Sequence, residues 1–234
     1  MEAVPLMSLL IERGANIDVT SRDSHYYSPI SIAIDNDKRK ALRLLIESGA
    51  NFSQDSQAVE LACQSQKGWA LRRLLRNGLD PNVVLQHVAS NPLNCHELLK
   101  VALSHHADSN YCVKDFSSSS HPASKGMSVL QLLAQQLEYP NSSAPMILLL
   151  KHNADINFVS EHDTFKTALE AALHARKFDK TQFLLENGAR IDQRANDIVT
   201  TMTTTPLVRP SREDFETLLR QYSSGLEVLT SADE

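Results

Sequence analysis

Two adjacent histidines, His105 and His106, are the residues of this 234-residue chain that first suggest metal chemistry. Adjacent side chains on a helix point about 100° apart, so these two imidazoles would converge poorly on one ion. The three cysteines, Cys63, Cys95 and Cys112, have spacings unlike those of zinc modules, and we interpret them as buried or idle thiols in a reducing compartment. The sequence has no glycine-rich phosphate loop, paired metal-ligand motif or nucleophile elbow. It therefore predicts neither a metal nor a cofactor.

The composition narrows the class of partner. Hydrophobic residues make up 42% of the chain and charged residues 22%, and the formal net charge is −5. A negative net charge argues against binding to nucleic acid or to an anionic membrane, because both require a basic surface. No apolar stretch approaches the roughly 18 residues of a membrane span, and the first five residues lack a secretory signal pattern. We expect an intracellular protein, cytoplasmic or nuclear.

The elements that must position any site come from a segment that recurs six times. In each copy a short apolar helical run leads into a glycine or its equivalent, the type of residue that ends a helix in the left-handed conformation. The equivalent positions are Gly14, Gly49, Gly78, His106, Asn153 and Gly188. Their intervals of 35, 29, 28, 47 and 35 residues scatter around the roughly 33-residue period of an ankyrin array.

Two motifs in the same phase make the chain resemble an ankyrin-repeat protein. The closing Gly-Ala-Asn pattern appears at 14–18 and 49–51, and a related Ala-Asp-Ile-Asn stands at 154–157. The opening Thr-Pro-Leu-His-x-Ala pattern appears in altered form at 28–33 and 167–172, without its histidine. Both openings lie 21 residues before their glycine, at 28 and 49 and again at 167 and 188. The resemblance covers roughly residues 1–192.

This resemblance implies an all-α solenoid of stacked helix-turn-helix units with a C-terminal capping helix. The array is placed at 1–192, with a half-repeat at 1–17, repeats at about 18–51, 52–80, 81–110, 127–157 and 158–192, and a loop at 111–126. Residues 193–223 are predicted to form the cap, whose helix begins at Ser211 with a capping-box pattern. The last residues, 224–234, are predicted to be disordered.

The resemblance also implies a function, that of a non-catalytic scaffold which binds another protein through its concave face. In ankyrin-repeat proteins this face is built from the finger loops and the exposed side of each first helix. Transferred residue by residue, the candidate binding residues are Tyr26, Tyr27, Ser31, Asp35, Glu60, Gln64, Gln131, Gln135, Glu170 and His174. Because Asp35, Glu60 and Glu170 are acidic, we expect a negative potential that favours a basic or amide-rich partner.

Two alternatives remain open at this point. The chain could be an atypical enzyme or small-molecule-binding protein, with Glu60, Glu170 and His174 acting as acid or base in a cleft. Such a site needs a convergent pocket, which an open groove between repeats usually lacks. The half-repeat at 1–17 motivates the second alternative, a fragment or cap of a larger ankyrin assembly.

Overall fold

The computed structural model describes residues 4–19, 28–52, 56–90, 95–114, 125–136, 143–202 and 210–230. Within them it contains the helices α1 (Val4–Glu12), α2 (Pro29–Asp35), α3 (Arg39–Glu47), α4 (Ser56–Gln64), α5 (Gly68–Arg76), α6 (Pro81–Ser90), α7 (His96–Ser104), α8 (Val129–Gln135), α9 (Ala144–Lys151), α10 (Ala168–His174), α11 (Phe178–Glu186), α12 (Gln193–Thr201) and α13 (Arg212–Thr230). None of these described helices has the length and apolar character needed to cross a bilayer. The expected helical architecture is confirmed.

The first compact unit is Met1–Asp108. It contains the helix pairs α2/α3, α4/α5 and α6/α7, and we call the members of each pair the first and the second helix. First helices contact first helices in the order α2, α4, α6, and second helices follow the order α1, α3, α5, α7. Leucine and isoleucine side chains buried between the layers, such as Ile34, Leu42, Leu71 and Leu99, form the core. This stacking buries the apolar faces that single amphipathic helices cannot bury alone.

The second compact unit is Ser109–Glu234. It contains the pairs α8/α9, α10/α11 and α12/α13, and its first helices contact one another in the order α8, α10, α12. The second helices α11 and α13 also pack together, and the Phe178 and Phe215 rings meet edge to face at 5.4 Å between centroids. The predicted cap is therefore a complete helix pair.

Helix α12 lies in the predicted cap ahead of Ser211, where the sequence predicted no helix. The helix forms because Asp192 caps it, accepting a hydrogen bond from the Ala195 N–H at 2.8 Å. Ala195 and Val199 are then buried. The second helix of this pair also continues to Thr230, beyond the predicted end at 223, so the proposed disordered tail is helical as far as that residue.

The six glycine-equivalent residues share one backbone conformation. All have positive φ, including His106 at 64° and Asn153 at 63°, beside values of 82° to 100° at the four glycines. In each repeat the N–H of the following residue donates to a carbonyl of the preceding helix, as Ala154 does to Leu149 at 3.0 Å. His and Asn tolerate this region better than most side chains do, which explains why the repeats survive without glycine there.

Side-chain oxygens of Asp and Asn accept hydrogen bonds that link consecutive repeats. Asp18 Oδ1 accepts from the Asn51 N–H at 2.8 Å in the first unit. In the second unit Asn157 Oδ1 accepts from the Arg190 N–H at 2.8 Å, while its Nδ2 donates to the Gly188 carbonyl at 3.1 Å. These bonds explain the closing Asn/Asp motif of the sequence: its last polar residue supplies an acceptor to the next repeat.

The predicted loop at 111–126 starts and ends in a short paired segment. Cys112 and Ser128 form an antiparallel bridge, and Val113 exchanges backbone hydrogen bonds with Gly126 and Met127 at 2.8 and 2.9 Å. The serine-rich middle of the loop, 115–124, lies outside the described residues. The base of this loop is therefore a fixed part of the second unit.

Candidate partner-binding surface

Two rows of predicted binding residues run along the first helices, one helical turn apart. We call Ser31, Glu60, Gln131 and Glu170 the inner row, and the residues four positions later, Asp35, Gln64, Gln135 and His174, the outer row. Ser31, Glu60, Asp35 and Gln64 belong to the first unit and the other four to the second. The two rows differ in burial and therefore in what they can do.

Capping hydroxyl groups fix the inner row at three of the four helices. Ser28, Ser128 and Thr167 each cap a first helix, and their side-chain oxygens accept from the N–H groups of Ser31, Gln131 and Glu170 at 3.0 to 3.2 Å. The third helical position lies beside the cap, so its side chain can turn back toward it. All three inner-row side chains are fully buried.

Gln131 shows most clearly what an inner-row residue does. Its Oε1 accepts from the Ser128 N–H at 2.6 Å, which completes a capping box. Its Nε2 donates to Ser160 Oγ at 2.8 Å and to the Phe165 carbonyl at 3.2 Å, both in the finger loop of the next repeat. The amide of Gln131 thus joins two repeats of the second unit.

Glu170 occupies the same position in the next repeat. Its Oε2 accepts from the Lys166 N–H at 2.8 Å and lies 3.5 Å from Arg194 Nε, on α12. Arg194 also donates to the Thr164 carbonyl at 3.2 Å, so it connects the following pair to this finger. The other carboxylate oxygen, Oε1, is buried without a hydrogen-bond partner within the described structure.

The prediction that Ser31, Gln131 and Glu170 line an exposed face is wrong, because all three are 0% exposed. Glu60, the remaining member of the inner row, is half-buried, so it is neither fully buried nor fully exposed. The sequence held a signal for this: each of the three follows a capping Ser or Thr by three residues, where a polar side chain bonds back to its own cap. Contacts with the next repeat contribute to the burial of Gln131, through Ser160 and Phe165, and of Glu170, through Arg194.

The outer row matches the expected exposure. Asp35 and Gln64 are exposed on α2 and α4, and Gln64 Nε2 donates to Glu60 Oε1 at 2.9 Å. In the second unit Gln135 is partly exposed and His174 is exposed, with its ring 5.2 Å from that of Phe165. Their role in binding stays a prediction. Tyr26 and Tyr27 lie outside the described residues.

An exposed isoleucine, which the sequence reasoning missed, stands between the two rows on α2. Ile32 is 49% exposed, although it lies in the altered opening motif, where an apolar residue suggests core packing. The equivalent residue of the cleanest repeat, Ala171, is buried. In the sequence, this exposure is indicated by the position of Ile32 four residues after the capping Ser28, on the side of the helix that carries the outer row. The first unit therefore presents an apolar side chain beside an acidic one.

Glu60 also influences two buried titratable groups. Burial raises the pKa of the Cys63 thiol to about 12, and the nearby Glu60 charge adds to this shift. Burial lowers the pKa of His87, while Glu60 opposes that change. Cys63 is therefore a protonated, unreactive thiol at neutral pH. Within the described residues no group of three or more His, Cys, Asp or Glu side chains could hold a metal ion.

The residues of the enzyme alternative do not converge in either unit. Glu60 belongs to the first unit, and Glu170 and His174 belong to the second. The Glu170 carboxylate is buried and held by Lys166 and Arg194, whereas His174 is exposed at the end of α10. A general acid or base must reach its substrate within hydrogen-bond distance, and Glu170 as placed has no access to one.

Comparison with solved structures defines the fold. The chain is similar to the ankyrin repeat domain of Bcl-3, described as a unique member of the IkappaB protein family, with a TM-score of 0.63, 22% identity, and coverage of 84% of this chain and 91% of that one. It is also similar to the human ASB11 ankyrin repeat domain, with a TM-score of 0.49, 18% identity, and coverage of 84% and 98%. No family model matches the chain, and no curated protein does. The chain has the all-α ankyrin-repeat fold.

Proposed function

We propose that this chain is a non-catalytic module that binds another protein through the first-helix face of Met1–Asp108 and its adjoining finger loop. The observation that carries the proposal is the exposed Ile32 beside the exposed Asp35 on α2. An apolar anchor flanked by polar groups is the composition of a protein-binding surface. Ankyrin-repeat structures similar to this chain support the same class of function.

The chemistry of this face selects the partner. Asp35 contributes one negative charge, Glu60 a second, and Gln64 an amide that already bonds to Glu60. The sequence predicted an acidic face from the carboxylates of Asp35, Glu60 and Glu170. Because Glu170 is buried in the second unit, Asp35 and Glu60 are the two that contribute to this face. We propose a partner segment that places an apolar side chain against Ile32 and a basic or amide group against Asp35. The three cysteines are free thiols, which supports an intracellular location.

Site-specific photo-crosslinking tests this proposal. A photoreactive residue at position 64 should capture a partner from a cell extract, and the same residue at the exposed Asn187 of the second unit should not. Ile32→Glu should then abolish the captured band, because it places a charge in the apolar contact. Ile147→Glu is the matched control: it changes an isoleucine that is 39% exposed on the second helix α9. Capture that survives Ile32→Glu, or that is lost equally in the control, would overturn the proposal.

A further inference from the structure

The second helices of Met1–Asp108 carry a concentration of positive charge that the net charge of the chain conceals. Helices α3 and α5 together contain six Arg or Lys residues and one acid, Glu47. The buried side of each helix consists of the apolar residues between the layers. The basic side chains are therefore exposed, except that of Arg73, which is half-buried. A face of this kind attracts anionic groups even on a protein whose total charge is −5.

Two of these cations and a third on α7 occupy the same position in consecutive repeats. Arg43, Arg72 and Lys100 each stand six residues before the left-handed turn residue, at 49, 78 and 106, on α3, α5 and α7. All three are exposed, and these helices contact one another in that order. We call these three residues the basic row. Arg72 and Lys100 have no ion-pair partner within the described structure.

The fold itself does not require this charge. The equivalent positions of Ser109–Glu234, again six residues before the turn residue, are Ile147 and Gln182. Both lie on second helices that pack normally, α9 and α11. On α1 of the first unit the same position, six residues before Gly14, is Ser8. A cation there is therefore a property of the three successive repeats of α3, α5 and α7 and not of the repeat itself. Like charges without ion-pair partners repel one another, so Arg72 and Lys100 cost stability, whereas Arg43 pairs with Glu47.

One carboxylate shows how this face holds an acid. Glu47 Oε1 accepts from Arg43 Nε at 2.7 Å on its own helix and from Arg73 Nη2 at 3.1 Å on the next one. These contacts keep the pKa of Glu47 below its ordinary value, with the Arg43 hydrogen bond as the largest cause. Guanidinium groups of two repeats thus hold one carboxylate together. Within the described residues, Arg72, Arg76 and Lys100 have no such carboxylate partner.

We propose that the basic row binds an acidic segment of a protein partner, on a surface separate from the first-helix face. Neighbouring packed helices are about 8–10 Å apart, and an extended chain advances about 3.3 Å per residue. A carboxylate at every third residue of an extended segment therefore matches the row. A membrane is the weaker fit, because α3, α5 and α7, which carry the basic row, lack the exposed large apolar side chains that interfacial binding needs. Those of the second-helix layer in this unit, Leu6, Leu9 and Leu10, lie on α1. Nucleic acid is also disfavoured, since Asp37, Glu47 and Glu97 interrupt the face.

Fluorescence anisotropy with a synthetic peptide tests the proposal. The probe is a labelled Ser/Gly peptide with glutamate at every third residue, and its isomer with contiguous glutamates serves for comparison. We expect saturable, salt-sensitive binding of the spaced peptide by the full chain. Arg72→Glu combined with Lys100→Glu should raise the Kd about fivefold or more, because exposed charges act mainly by steering and pairing. Arg72→Gln with Lys100→Gln should have a smaller effect in the same direction.

The control is a variant with the same change in net charge. Lys151→Glu with Arg190→Glu reverses two exposed cations of the second unit and should leave the Kd unchanged. Circular dichroism verifies that both double variants are folded. Equal losses in both variants would reduce the effect to net charge and overturn the proposal, as would equal affinity for the contiguous isomer or no saturable binding. Tighter binding to anionic vesicles or to duplex DNA would overturn the assignment of the partner class.

Discussion

Replacing Gln131 with alanine tests the physical reading of the inner row. The change removes three hydrogen bonds: to the Ser128 N–H at 2.6 Å, to Ser160 Oγ at 2.8 Å and to the Phe165 carbonyl at 3.2 Å. One intramolecular hydrogen bond contributes about 0.5–1.5 kcal/mol, and a buried group that loses its partner costs about 1–3 kcal/mol. We expect Gln131→Ala to lower the free energy of unfolding by about 2–4 kcal/mol.

The same helix offers a matched control. Gln135 lies one turn later, is partly exposed, and makes only a long contact to Met127 Sδ at 3.7 Å. Gln135→Ala should therefore cost less than about 0.5 kcal/mol, as exposed substitutions do. Gln131→Glu separates volume from hydrogen bonding. It keeps the acceptor for Ser128 but places a carboxylate against the Phe165 carbonyl, so we expect a loss at least as large as that of Gln131→Ala.

Urea denaturation of the wild type and the three variants measures these differences. The midpoint should shift for both Gln131 variants while the slope with urea stays constant, which identifies the change as one of stability. If Gln131→Ala and Gln135→Ala cost the same, or if Gln131→Ala costs less than about 0.5 kcal/mol, the side chain does not bridge the repeats. It would then belong to the exposed face on which the sequence first placed it.

Three further predictions concern other links in the fold. Leu184→Ala should cost about 2–5 kcal/mol in urea denaturation, because Leu184 is fully buried on α11; a loss below about 0.5 kcal/mol would mean that the repeat register is wrong. Asn157→Ala should cost about 1–3 kcal/mol, and Asn157→Asp about half as much, since aspartate still accepts from Arg190 but cannot donate to the Gly188 carbonyl. At pH 8 iodoacetamide should modify the half-exposed Cys112 and spare Cys63, whose pKa is raised to about 12 by burial; mass spectrometry that finds both labelled at similar rates in the folded protein would contradict this.

The repeat phase could be predicted from the sequence because local geometry sets it. A left-handed residue must end each second helix, and a hydroxyl favours the start of each first helix. The positions of Gly188 and Thr167 therefore agree in spacing with those of Gly49 and Ser28. Burial of the apolar faces follows from the same phase, as at Leu184. Features that are set within one helical turn could therefore be predicted from the sequence.

Features that depend on contacts with the next repeat could not be predicted from the sequence. The capping Thr167 three residues earlier indicates that the Glu170 side chain turns back toward its own helix start, but its ion pair with Arg194 on α12 depends on the next helix pair. Helix α12 was missed for the same reason: threonine-rich sequence has low helix propensity, and packing of Ala195 and Val199 against the second unit decides the outcome. Ile32 is the converse, an apolar residue that is 49% exposed.

A hydrogen-bonding or backbone role recurs from repeat to repeat even where the residue type or its position changes. This difference separates positions that serve the structure from positions that serve function. Lys67 Nζ caps the C-terminal end of α2 by donating to the Ile34 and Asp35 carbonyls at 2.8 and 2.7 Å. In the second unit Lys180 Nζ, from a different place in its repeat, donates to the Leu133 and Gln136 carbonyls of α8. Lysine at a helix C-terminus satisfies carbonyls that otherwise lack partners.

Positions with such a task change in residue type but retain their contacts. Ser28 and Thr167 both cap a helix, and Gly49 and Asn153 both adopt positive φ. Within the described residues, Ile32, Arg72 and Lys100 have no contact of this kind that would explain their residue types. The equivalents of the two cations in Ser109–Glu234 are Ile147 and Gln182, and the equivalent of Ile32, Ala171, is apolar but buried. Since the stack does not require an exposed isoleucine or unpaired cations there, we propose that these residues serve binding. The first unit carries Ile32 beside Asp35 on its first-helix face and the basic row on its second helices, so it is where we expect a partner to bind.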